Sequence, residues 1–166
     1  MSFSGNQRLL LDEKGRMRIP SRYRDELGDD FALSKGPKNC IYILSAKKAR
    51  EYEDDLIALN AAADIFDFDG QMILNAAADA LYFPDVDEQG RFVLKNEYKA
   101  FASIKKEIVV SGATDKLTLW GAERYDELFG GSNYETMIKK LYEMKMKKAE
   151  FEKDKQRQNA DAQDGE

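Results

Sequence analysis

A five-residue phrase occurs twice in this chain, and the two copies constrain the fold more than any other feature. Asp12-Glu13-Lys14-Gly15-Arg16 returns as Asp87-Glu88-Gln89-Gly90-Arg91, 75 residues later. The correspondence continues downstream. Tyr23 falls on Tyr98 at the same offset. After one added residue Gly36 falls on Gly112, and Ile41-Tyr42-Ile43-Leu44 falls on Leu117-Thr118-Leu119-Trp120. Repetition at a fixed period marks one supersecondary unit used twice. A chain of 166 residues has room for one domain made of two such halves, and neither half is large enough to bury a good core alone. The halves are therefore expected to pair about a pseudo-twofold axis.

Both copies predict the same order of hairpin, helix, hairpin, helix. The Asp at the start of the repeated phrase can accept backbone N–H bonds through its carboxylate. The Gly three residues on, Gly15 or Gly90, supplies the positive φ that closes a bulged hairpin. A short β-prone run follows, Met17-Arg18-Ile19 or Phe92-Val93-Leu94, and then a helical segment, Pro20–Leu27 or Lys95–Phe101. Two further strands and a helix complete each half. Alternation puts Lys14, Arg16 and Arg18 on one side of the hairpin and Met17 and Ile19 on the other. Arg18 is expected to sit deepest of the three cations.

Charge divides the chain sharply. From Glu51 to Glu88 there are eleven acids and no Lys or Arg, so the overall net charge of −5 is −11 there and +6 elsewhere. Between Arg8 and Arg24 six cations face two acids. Such a local basic patch on an acidic protein is a legitimate footprint for nucleic acid, although a solvated face is the commoner reading. The chain has no histidine, which removes the Ser-His and Cys-His dyads, imidazole metal sites and the usual neutral-pH base. Cys40 is the single cysteine, so no intrachain disulfide forms and a reducing compartment is expected. No apolar run approaches the length of a membrane span. The acids lack a calcium-loop pattern, and Asp67-Phe68-Asp69-Gly70 is too short to count as one.

The run Leu11-Asp12-Glu13-Lys14-Gly15-Arg16-Met17-Arg18-Ile19-Pro20-Ser21-Arg22-Tyr23-Arg24 closely resembles the first signature of the MraZ family, and Val86–Leu94 resembles the second. Phe3-Ser4-Gly5 is similar to the family's start, and Gly112–Trp120 to its closing strand, so the resemblance covers roughly residues 3 to 128. The resemblance implies an α+β fold of two AbrB/SpoVT-like halves that interlock in a small β-barrel flanked by helices. It also implies a bacterial cytoplasmic, nucleoid-associated regulator. Such a protein would bind short direct repeats in double-stranded DNA at the promoter of the division and cell-wall gene cluster, as a ring-shaped homo-oligomer. No cofactor, metal, membrane or small-molecule substrate is expected. Arg16 is the first choice to enter the major groove, where a guanidinium can hydrogen-bond guanine O6 and N7. Lys14 and Arg18 share its face. Arg91 holds the matched position, but from Asp87 to Lys99 three cations oppose three acids, so the first motif is expected to dominate. Asp12, Gly15, Asp87 and Gly90 are read as turn-shaping. Both arginines could instead serve only as ion-pair partners of Asp12 and Asp87.

The domain reading places the first half at 1–59, an acidic helical connector at 60–80, the second half at 81–130, a C-terminal helix at 131–151 and a disordered tail at 152–166. Tyr134, Met137, Ile138, Leu141, Met144 and Phe151 form one helical stripe with lysines opposite. Two other classes stay open: an AbrB-like protein-interaction module without operator binding, and an enzyme on a double-psi-type barrel. The lack of histidine and of a nucleophile–base pair argues against the enzyme.

Overall fold

The repeated turns open two matching sets of elements in the computed structural model, which describes residues 2–163. The first half contains β1 (Asn6–Leu10), β2 (Arg16–Arg18), α1 (Ser21–Leu27), β3 (Phe31–Lys35), β4 (Ile41–Ser45) and α2 (Ala46–Ala62). Helix α3 (Phe68–Asp79) follows. The second half contains β5 (Arg91–Val93), α4 (Asn96–Phe101), β6 (Glu107–Gly112), β7 (Leu117–Gly121) and α5 (Ala122–Phe129), and α6 (Ser132–Gln163) comes last. By its contacts the chain divides into two units, Met1–Tyr125 and Asp126–Glu166.

Strand pairing shows how the halves are joined. One antiparallel sheet runs β1-β6-β7-β4-β3, and a separate antiparallel ribbon is made of β2 and β5. Met17 pairs with Phe92 in the ribbon, and Tyr42 pairs with Thr118 where β4 meets β7. These are the residues that the sequence offsets of 75 and 76 equate. An antiparallel ladder whose central residue meets its own equivalent, while its neighbours cross-pair with each other's, is what a twofold axis through the ladder requires. Each half also completes the other: β1 of the first pairs with β6 of the second, and Tyr82 of the second bridges Leu33 of the first. The expected α+β fold of two interlocked halves is thus the fold observed.

The inner faces of sheet and ribbon share one core. Met17, Ile19, Phe92 and Leu94 from the ribbon segments join Phe31, Leu33, Ile41, Ile43, Ile108, Val110, Leu117 and Leu119 from the sheet. Phe31 and Phe92 meet edge to face with ring centroids 5.2 Å apart, a favoured aromatic geometry. Tyr23 and Tyr98 are equivalent and make equivalent bonds. Tyr23 donates its hydroxyl to the carbonyl of Gly5 at 2.9 Å and Tyr98 to that of Ala80 at 2.8 Å. Burial pushes the Tyr98 hydroxyl up to about 12.

Three sequence expectations change here. The extended segment before Asp87 narrows to the single Tyr82 bridge, because Pro84 offers no N–H to a ladder. The first half's last helix runs past Leu59 to Ala62, and α3 occupies most of the connector. The tail expected to be disordered from Glu152 is helical through Gln163, with residues 164–166 outside the described ones. Its near lack of apolar residues suggested disorder, but Glu, Lys, Gln, Arg and Ala are good helix formers and the helical part, Glu152–Gln163, holds neither Gly nor Pro.

Candidate nucleic-acid interface

The two turns have the same construction. Asp12 Oδ1 accepts from the backbone N–H groups of Lys14 at 2.9 Å and Arg16 at 2.8 Å, while Oδ2 accepts from Arg16 Nε at 2.7 Å. Asp87 Oδ1 accepts from Gln89 and Arg91 N–H, each at 2.9 Å, and Oδ2 from Arg91 Nε at 2.8 Å. Gly15 and Gly90 take φ of +70° and +73°, which a residue with a Cβ adopts only with strain. The backbone N–H of Arg16 and of Arg91, followed by their guanidinium groups, holds the Asp12 and Asp87 carboxyls below the ordinary range. Both arginines are therefore ion-paired in the free protein, and the pairing engages only Nε. Among the described residues no bond occupies their terminal nitrogens.

The ribbon sets the other cations around these turns. Arg16 stands opposite Val93, and Arg18 stands directly opposite Arg91. Partners across an antiparallel pair point to the same face, so Arg16, Arg18, Arg91 and Val93 share the outer face while Met17 and Phe92 fill the inner one. Like charges directly opposite are destabilising. Lys14 lies within the first turn rather than on the strand, because Gly15 reverses the chain between it and Arg16. Arg18 is exposed, whereas Arg16 and Arg91 are half-buried. The expectation that Arg18 sits deepest is thus reversed. Its strand partner is a three-residue edge with solvent above it, while the two motif arginines are drawn down onto their carboxylates.

Antiparallel pairing also carries cations from each half to the other half's turn. The Lys99 ammonium lies 2.9 Å from the point a Cβ on Gly15 would occupy. The Arg24 guanidinium carbon and the Arg18 Cγ approach the corresponding point at Gly90, each at 3.9 Å. Arg24 Nη2 donates to the Ile19 carbonyl at 3.1 Å, which fixes its direction. Arg24 and Lys99 are themselves equivalent at the offset of 75. The first turn is thus surrounded by Lys14, Arg16 and Lys99, and the second by Arg91, Arg18 and Arg24. The neutral neighbourhood expected for Arg91 along the chain gains two first-half arginines in space, where Asp29 of the first half also lines the recess beside Asp87 and Glu88. Among the described residues Lys14, Arg18, Arg24 and Lys99 form no ion pair with a carboxylate. Sequence reasoning singled out neither Arg24 nor Lys99; their match at the repeat offset was the available signal.

The eleven acids lie mainly on α2, α3 and their link. No three of His, Cys, Asp and Glu gather as a metal site among the described residues. No helix among them is long and apolar enough to cross a membrane.

Comparison with known proteins bears on this arrangement. The family described as "MraZ protein, putative antitoxin-like" matches residues 2–69 and 78–159. This chain belongs to the MraZ family. The first matched segment holds the Asp12 turn and the second the Asp87 turn, and the unmatched residues 70–77 fall inside α3. The match reaches well past residue 128, so most of α6 is part of the family pattern. Three proteins called "Transcriptional regulator MraZ" illustrate the likeness. The one from Alkaliphilus metalliredigens is 30% identical over 86% of this chain and 98% of its own length. That from Carboxydothermus hydrogenoformans is 30% identical over 84% and 96%, and that from Desulforamulus reducens 33% over 75% and 84%.

Proposed function

We propose that this MraZ-family chain is a sequence-specific DNA-binding transcriptional regulator that acts in the bacterial cytoplasm, at the nucleoid. It binds short direct repeats at the promoter of the division and cell-wall gene cluster, as a ring-shaped homo-oligomer. The observation that carries this reading is the outer face of the β2–β5 ribbon. Arg18 and Arg91 oppose each other there, Arg16 lies beside them, and Lys14, Arg24 and Lys99 flank the two turns. A fold that gathers like charges at some energetic cost offers them to an anion, and a phosphate backbone is a line of anions. The relatives' shared name, transcriptional regulator, supports the same conclusion.

In this reading the ion pairs and base reading are compatible roles. Asp12 grips Arg16 through Nε and so orients the guanidinium, leaving the terminal pair of nitrogens for guanine O6 and N7. Asp87 does the same for Arg91. The unpaired cations contact phosphates and set the register on the duplex. One ribbon offers few contacts, so repetition of ribbons around a ring, over repeated sites, raises affinity through effective concentration.

The test is a mobility-shift titration on DNA from upstream of the protein's own gene. Wild type is expected to bind there, and Arg16→Ala to weaken binding about 10- to 100-fold, the worth of one bidentate base contact. An unchanged affinity removes Arg16 as a reader. Capture of a protein partner with no protection of that DNA would favour the interaction-module reading.

A further inference from the structure

Helices α2 and α3 pack on each other. Helix α2 leaves the sheet at Ser45, and the chain returns to it at Tyr82, so their joined ends are the far ones. At about 1.5 Å per residue, a helix of 17 residues sets that tip roughly 25 Å from Ser45 along its axis. The tip is apolar. Ile57, Ile65, Phe66, Phe68, Met72 and Ile73 are between 66% and 79% exposed. Single exposed apolar residues are ordinary, but six on one short helical tip form a patch of the kind that marks an interaction site. Acids frame it: Asp64, Asp67 and Asp69 sit among these side chains, within a stretch that lacks Lys and Arg.

Helix α6 has the opposite character. Tyr134, Met137, Leu141, Met144 and Phe151 recur at helical spacing and are 38% to 69% exposed. Between Lys139 and Lys148 five lysines accompany one acid, Glu143. Methionine-rich stripes adapt readily to a partner's contours.

We propose that the α2–α3 tip is a docking surface for helix α6 of a second copy of this chain. Charge selects this pairing over the symmetric ones. Tip against tip would bring together two acidic stretches, and α6 against α6 two lysine-rich ones. Tip against α6 joins apolar area on both sides inside complementary charge, which sets partner and orientation. The contact joins unlike surfaces, so it is heterologous and generates a ring when its rotation closes. It thereby deepens the assembly part of the proposed function, on which it rests.

The experiment uses the full chain and light scattering after size-exclusion chromatography. Wild type is expected at a multiple of 19.0 kDa. Ile73→Asp and Leu141→Asp are each expected to shift the mass towards that of the monomer, with circular dichroism unchanged because both positions are exposed. A second measurement identifies the occupant: a Phe66→Cys chain is mixed with a Met144→Cys chain and treated with a bismaleimide. The native Cys40 is buried. A two-chain adduct that requires both variants supports the proposal. An adduct formed only within a chain carrying both substitutions overturns the second copy as occupant. An oligomer that neither aspartate variant disturbs overturns the surface but leaves the ring. A wild type at 19.0 kDa throughout overturns both.

Discussion

At the first turn Asp12 holds Lys14, Arg16 and the Arg16 side chain; at the second Asp87 holds Gln89, Arg91 and the Arg91 side chain. Corresponding distances agree within 0.1 Å. The residues around the two frames differ. Lys14, Arg18 and Arg22 stand in the first half where the second has Gln89, Val93 and Glu97. Along the chain, the first turn should be strongly basic and the second neutral. In space the contrast shrinks, because Arg18 and Arg24 reach the second turn and only Lys99 returns to the first. Interlocking thus shares charge that the sequence distributes unevenly. A repeat conserves a frame, and the exchange of strands decides what each frame displays.

The largest effect expected on this comparison comes from the axis itself. Met17 and Phe92 are equivalent, paired and almost wholly buried. Phe92→Ala should lower stability by about 3–5 kcal/mol and Met17→Ala by about 2–5 kcal/mol, read from denaturant unfolding. If the halves act as one core, both variants unfold in a single transition. Two separate transitions would show that the halves are independent after all.

Binding comes next. Arg91→Ala should weaken operator affinity as much as Arg16→Ala does, about 10- to 100-fold. A mobility shift in which only the Arg16 variant loses affinity would restore the ranking that the sequence suggested. Smaller still is the difference between Lys14 and Gln89. Lys14→Gln makes the first turn chemically like the second and removes one candidate phosphate-binding cation per subunit. The slope of log affinity against log salt should become shallower by about 1 for each phosphate that is no longer neutralised. Gln89→Lys should change it in the opposite direction. Slopes that match the wild type in both variants would mean that neither turn tip meets phosphate.

Much of this was legible before the fold was known, and the missing parts share a physical cause. The positions of Asp12, Gly15, Asp87 and Gly90 follow from local turn chemistry, and the strand and helix order from short-range periodicity. The sequence offsets even name the residues on the twofold axis, Met17 with Phe92 and Tyr42 with Thr118. The surroundings of Arg91 were not legible, because they depend on which strand of which half lies alongside. Arg18 was misplaced for the same reason. It belongs to the first motif by sequence and to the second turn by pairing. The extension of the terminal helix over Glu152–Gln163 was missed differently: that stretch has no apolar face to bury, and only its local propensity speaks for order.

The smallest expected effect compares the carboxylates. Asp12 and Asp87 are both held below the ordinary 3.8, first by the backbone N–H of Arg16 and of Arg91 and then by the guanidinium groups. A depressed folded value means that the unfolded chain binds the proton more readily. The stabilisation is therefore complete above the ordinary carboxylate range and is lost as pH falls through the folded values. Asp12→Asn and Asp87→Asn keep an oxygen for the turn N–H groups but cannot ionise. Each should flatten stability against pH below about 4, and matching frames should give matching decrements. Asp115 is a necessary control. Lys116 and Lys48 bond it and lower it to about 2, so it contributes an acid-sensitive background that Asp115→Asn removes. With that background subtracted, a larger decrement for Asp12 than for Asp87 would mean that the Lys14 ammonium, absent at Gln89, reaches its own turn's carboxylate. Equal decrements would place the difference between the turns entirely in what they present outward.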